Sequence, residues 1–136
     1  MKRGITDWLR RLRGTAALDL GSRGEREAAR FLRQRGYKIL HRNLRLGDDE
    51  ADLVALAPDD STLVVIEVKT RRDGLIRPEE HVNRTKQHRL ARLAARLMKQ
   101  QRYRAAPLRF DVIAIVWPDD GEPQIRHFEN AFQSPW

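Results

Sequence analysis

The chain is 136 residues long, enough for one domain with a buried core and too short for two of ordinary size. It has 27 Lys and Arg against 19 Asp and Glu, a net charge of +8, and Arg supplies 22 of those bases. With no cysteine, a disulfide framework, a thiolate zinc site, an iron–sulfur cluster and a cysteine nucleophile are excluded, and no apolar run reaches the roughly 20 residues that span a bilayer.

Residues 1–20 read as a basic N-terminal appendage to a domain over 21–136. Trp8, Leu9 and Leu12 make an apolar face opposite Arg10, Arg11 and Arg13. Such a segment suits a docked helix, a frayed arm, or an arm laid on a membrane surface or nucleic acid. The same arginines stand where a secretory signal needs its apolar stretch, so a cytoplasmic protein is expected.

A helix is predicted over about 22–35, with Ser22 as N-cap, Glu25 at capping-box spacing, and Ala28, Ala29, Phe31 and Leu32 as its buried stripe. Gly36 should end it. The period then shortens: 37–46 and 50–57 read as strands, and Pro58-Asp59-Asp60-Ser61 as a turn. Leu63-Val64-Val65-Ile66 has no polar break, which predicts a strand covered on both faces. A loop at 70–74 leads through Pro78 into a long helix over about 79–101, with Val82, Lys86, Leu90, Leu93, Ala94, Leu97 and Met98 at helical spacing. Phe110–Trp117 is a further apolar strand, and a short one follows near 124–129. The order α-β-β-β-α-β-β predicts an α/β domain with a mixed central sheet flanked by helices.

Glu67 and Lys69 alternate onto one face at the far end of the most apolar strand. The turn at 58–61 makes the preceding strand an antiparallel neighbour, which can lay Asp52 beside Glu67. Two carboxylates at a partly buried sheet end repel each other and call for a cation. A divalent metal such as Mg²⁺ answers that need; a plain Glu67–Lys69 pair with an unrelated Asp52 answers it too.

Gly24-Glu25, Arg42-Asn43, Glu50-Ala51-Asp52-Leu53-Val54, Glu67-Val68-Lys69-Thr70-Arg71, Lys86 and Arg109-Phe110-Asp111 occur in that order. The set resembles the YraN-like family of small uncharacterised bacterial proteins. That family is similar in turn to the restriction-endonuclease-like PD-(D/E)XK fold, especially the archaeal Holliday-junction resolvases. The resemblance covers about 24–131. It implies a restriction-endonuclease-like fold with a phosphodiesterase site using Mg²⁺ or Mn²⁺. Asp52 and Glu67 would ligate the metal with the Val68 carbonyl, and Lys69 would lie near the attacking water and the scissile phosphate. Glu25 matches the family's additional acidic residue, a role that competes with capping through Ser22. One departure stands out: the family usually has Gly where this chain has Asp49, and Gly47 comes two residues earlier. Either the turn is shifted, or Asp48, Asp49 and Glu50 crowd the site.

The four histidines lack metal-ligand spacing, no Gly-rich phosphate loop is present, and Asp111 should pair with Arg109 or a backbone amide. Arg71, Arg72, Arg77, Lys86 and Arg89 follow the Glu67 strand or open the next helix, where a phosphate backbone would pass. A solvated basic face explains any one of them; together they suggest a nucleic-acid track. Aromatic residues are only 7%, too sparse for a single-strand stacking platform, so duplex or branched DNA is the expected partner. The activity expected is that of an endonuclease-like phosphodiesterase. The alternatives are a non-catalytic nucleic-acid-binding module on the same fold and a protein-interaction scaffold. Junction resolvases work as symmetric dimers, but no dimer seam is legible here.

Overall fold

Helix α1 covers 20–34 in the computed structural model, which describes residues 20–74 and 82–134. Ala28, Ala29 and Leu32 are fully buried along its inner face, with Phe31 packed beside them. The appendage read over 1–20 lies outside the described residues except for Leu20, which continues directly into α1. The predicted N-cap is corrected. Leu20 and Gly21 are already helical, so Ser22 is an exposed interior residue and cannot take the non-helical conformation that capping needs. The other end is as expected. Gly36 has φ +89°, its N–H donates to the Arg33 carbonyl and that of Tyr37 to Leu32, closing a Schellman motif.

Strands β1 (Lys38–Leu46) and β2 (Asp49–Leu56) form an antiparallel hairpin through Gly47, which has φ +61°. Strand β3 (Leu63–Arg71) runs antiparallel to β2. The turn between them is knotted by Asp59, whose carboxylate accepts hydrogen bonds from the Ser61 and Thr62 N–H groups and the Thr62 hydroxyl. Leu63, Val64, Val65 and Ile66 are all buried, alternately against α1 and against α2. A strand so covered can carry an unbroken apolar run.

Helix α2 spans Arg84–Leu97, shorter at both ends than the predicted 79–101. Asn83 is extended (φ −72°, ψ 167°) and its side chain accepts the Lys86 N–H at 2.8 Å, so the helix starts after it. A separate 3₁₀ turn, Gln101–Tyr103, follows. Leu90, Ala91, Leu93, Ala94 and Leu97 face the sheet. Strand β4 (Leu108–Val116) lies parallel to β3, α2 being the crossover, and β5 (Gln124–Phe132) is antiparallel to β4 and longer than predicted.

The five strands are ordered β1-β2-β3-β4-β5. One cluster joins α1 to Leu53, Ala55, Val64, Ile66, Ile113 and Ile115; another joins α2 to Ala51, Val54, Leu63, Val65 and Phe110. Neighbouring residues of β2 and β3 enter opposite clusters, so the two helices flank opposite faces of a mixed sheet, in the α-β-β-β-α-β-β order of a restriction-endonuclease-like fold. Among the described residues no helix is long and apolar enough to cross a membrane.

Candidate functional site

Strand β2 pairs with β3 only from Leu53 opposite Ile66 onward to Leu56 opposite Leu63. Among the described residues, the β2-facing edge of β3 beyond Ile66 has no ladder partner, and Asp52 closes the gap. Its carboxylate accepts the Val68 N–H at 2.8 Å. A strand residue's N–H and C=O point to the same side, so the Val68 carbonyl faces Asp52 as well.

Glu67 stands next to this edge, only 9% exposed. Burial first, and then the charge and side-chain hydrogen bond of Asp52, push its carboxyl above the usual range, while the Lys86 and Lys69 ammonium groups oppose that shift. Its Oε2 is buried and accepts no hydrogen bond; among the described residues it is the one side-chain atom in that condition. The Lys86 ammonium is 3.5 Å away, an ion pair longer than an ordinary hydrogen bond. An unsatisfied buried carboxylate oxygen carries a desolvation cost of about 1–3 kcal/mol or more.

Glu25 reaches the same region from α1. Burial raises its carboxyl above the usual range and Asp52 adds to that, while a hydrogen bond from Asn43 and the charge of Arg42 work the other way. The sequence reading gave no role to Asn43, which sits at φ +51° and binds Glu25 from β1. An Asn in the left-handed region is the one local signal that could have marked it. Among the described residues no three carboxylate or imidazole side chains are gathered as a ready-made ligand set. The carboxylates next to the free edge are Asp52 and Glu67, with Glu25 hydrogen-bonded to Asn43 and close enough to Asp52 to feel its charge.

Gly24 explains how Glu25 comes so close. A Cβ at this position would stand 1.9 Å from Thr70 Oγ1 and 2.9 Å from Thr70 Cβ on β3. Rotating the threonine could move its hydroxyl but not its Cβ. Gly24→Ala should therefore lose more from overpacking, about 1–3 kcal/mol, than the roughly 1 kcal/mol it gains in helix propensity. Denaturant unfolding should show a net loss; an unchanged or raised midpoint would mean that α1 is not pressed onto Thr70.

Of the acidic run before Asp52, Asp49 is engaged away from the site, while the charge of Glu50 still adds to the raised Glu25 carboxyl. Asp49 is 1% exposed and receives two hydrogen bonds of 2.7 Å from Arg92 of α2. Those bonds hold its carboxyl below the usual range despite burial. At Gly47 a Cβ would stand 2.1 Å from an Arg96 guanidinium nitrogen. The β1–β2 tip, turning at Gly47, is clamped under Arg92 and Arg96.

Residues 24–115 match the family described as "Uncharacterised protein family UPF0102". The chain belongs to this family. It is 44% identical over 114 residues to a UPF0102 protein of Pelobacter propionicus, covering 83% of this chain and 81% of the relative. It is 41% identical over 116 residues to one of Symbiobacterium thermophilum, covering 85% and 97%. A relative from Thermodesulfovibrio yellowstonii is 42% identical over 118 residues, covering 86% and 98%.

In this UPF0102 chain the proposed nucleic-acid track is divided. Arg71 is exposed at the end of β3, and its carbonyl accepts the Trp117 N–H. Arg72 is ion-paired with Asp119. Arg77 lies outside the described residues. Arg89 is exposed on α2, and Lys86 turns toward Glu67. Lys69 is half-buried, its charge felt by Glu67. Exposed Arg84 and Arg96 on α2, and Lys99 just after it, add to the positive surface.

Proposed function

We propose that the protein binds nucleic acid, DNA in the first instance, and hydrolyses its phosphodiester bonds with Mg²⁺ or Mn²⁺. One observation carries this: Glu67 Oε2, a buried oxygen with no hydrogen bond, beside a second carboxylate and a strand edge without a ladder partner among the described residues. An atom in that condition suits a cation. Hard oxygen donors of this number suit Mg²⁺, which is commonly held by one or two carboxylates and keeps several waters. Asp52, Glu67 and the Val68 carbonyl would hold the ion; when bound, it would supply Lewis acidity at the phosphate and a more acidic water.

The remaining work belongs to the chain's own groups. Lys69 donates hydrogen bonds that orient the attacking water and offset the charge growing on the phosphoryl oxygens. Glu25, steadied by Asn43, accepts a hydrogen bond from a water at the mouth of the site. The net charge of +8 draws in a polyanion, and exposed Arg71 and Arg89 guide its backbone across the site.

A non-catalytic binding module on the same fold is the second reading. It is favoured by the absence, among the described residues, of a third carboxylate or imidazole completing a ligand set. Binding and cleavage measured side by side separate the two. Duplex, flap and four-way-junction DNA and structured RNA should be bound with an affinity that falls steeply with salt. Replacing Arg71, Arg72 and Arg89 together should weaken binding broadly and flatten that slope. With Mg²⁺ or Mn²⁺ present, at least one substrate should be cut. Binding without cleavage would leave the second reading, and salt-independent binding would remove both.

A further inference from the structure

The sequence places Lys86 both at the helical spacing of the α2 stripe and on the nucleic-acid track, and in the structure its ammonium stands 3.5 Å from the buried, otherwise unsatisfied Oε2 of Glu67. Two features hold it there. The Asn83 side chain accepts the Lys86 backbone N–H and fixes the first turn of α2, and the lysine stem shares the sheet-facing stripe with Leu90 and Leu93. The side chain is still 34% exposed, so its head has a route to solvent.

A metal–oxygen bond to a hard divalent ion is about 2 Å long. An ion bound at Oε2 would therefore lie within about 6 Å of the Lys86 ammonium where it now stands. Like charges that close, in a partly buried place, repel strongly. The two cations compete for one oxygen. We infer that Lys86 is a positioning residue, an internal counter-ion that occupies the Glu67 carboxylate until a divalent cation displaces it into solvent. The inference rests on the metal-site reading above. It assigns the α2 lysine to control of loading rather than to the phosphate track.

The test is calorimetric titration with Mn²⁺ of the full chain and of Lys86→Met, Lys86→Arg and Glu67→Gln, each with thermal unfolding in chelator and in saturating Mn²⁺. Met keeps the aliphatic stem and removes the charge. Lys86→Met should bind Mn²⁺ about tenfold more tightly than wild type. In chelator it should melt at a lower temperature, and it should gain more from Mn²⁺ than wild type does. Lys86→Arg, which retains the charge, should keep the wild-type affinity to within a few-fold. A structural role alone would lower the melting temperature without tightening Mn²⁺ binding.

Unchanged or weaker binding by Lys86→Met, while wild type binds and Glu67→Gln does not, overturns the counter-ion role and leaves the metal site standing. No Mn²⁺ binding by wild type overturns both.

Discussion

Lys69→Ala should cleave nucleic acid about 10²–10³ times more slowly than wild type, the usual cost of removing one preorganised donor from a developing oxyanion. It should still fold. Lys69 is half-buried near the end of β3, opposite Ala114 on β4, where its charge helps offset that of Glu67, so the loss of stability should stay near the ordinary single-substitution value of about 1 kcal/mol. Nucleic-acid affinity should also be largely kept, because the arginines supply most of the charge. Single-turnover cleavage of one substrate by both proteins, with binding measured in parallel, separates these effects. Equal rates would trace the activity to a contaminant or to another site.

Asp111→Ala should cost about 3–5 kcal/mol of stability, as expected when one partner of a buried ionic network is removed. Asp111 is completely buried and accepts four hydrogen bonds: two from Arg109, one from the Asn130 N–H and one from His127 Nε2 at 2.7 Å. Arg109 also donates to the Tyr37 hydroxyl at 2.6 Å, so the network ties β4 to β5 and to the end of α1. The partners expected from the sequence, Arg109 or a backbone amide, are both engaged, and the arrangement is a structural lock.

Its pH dependence has a defined sign. Burial alone would raise the Asp111 carboxyl, but His127, Arg109 and the Asn130 N–H outweigh it and hold it below the usual range. A depressed folded-state value stabilises fully above the unfolded value, about 3.9, and that contribution is lost as pH falls through the folded value. The stability gap between wild type and Asp111→Asn should therefore narrow as pH falls below about 4. A gap that failed to narrow there would contradict the depressed carboxyl.

What was legible in the sequence was local or one short turn away. The unbroken run Leu63–Ile66 marked a strand covered on both faces, Gly36 marked a helix end, and the turn at 58–61 set β2 antiparallel to β3 and brought Asp52 beside Glu67. The misplacements came where a local pattern depended on a boundary. Ser22 and Glu25 have capping-box spacing, but the helix begins before them; Asn83 caps α2 where the apolar period alone placed helix.

Pairings across the fold were not legible. Asp49 is neutralised by an arginine 43 residues later, and Lys86 reaches Glu67 from a separate helix. In each case the partner was one of many similar charges, and only the packing of α2 over the β1–β2 hairpin selects it. Asn43 was visible as part of a familiar set of residues, but its grip on Glu25 depends on α1 closing onto Thr70 through Gly24.

The divalent-cation site proposed at Asp52, Glu67 and the Val68 carbonyl is open to an anomalous-difference map from a crystal soaked in Mn²⁺. A peak is expected within coordination distance of both carboxylates and the Val68 carbonyl, and none in crystals of Glu67→Gln. Saturating Mn²⁺ with no peak there, or an equal peak in Glu67→Gln, would contradict it.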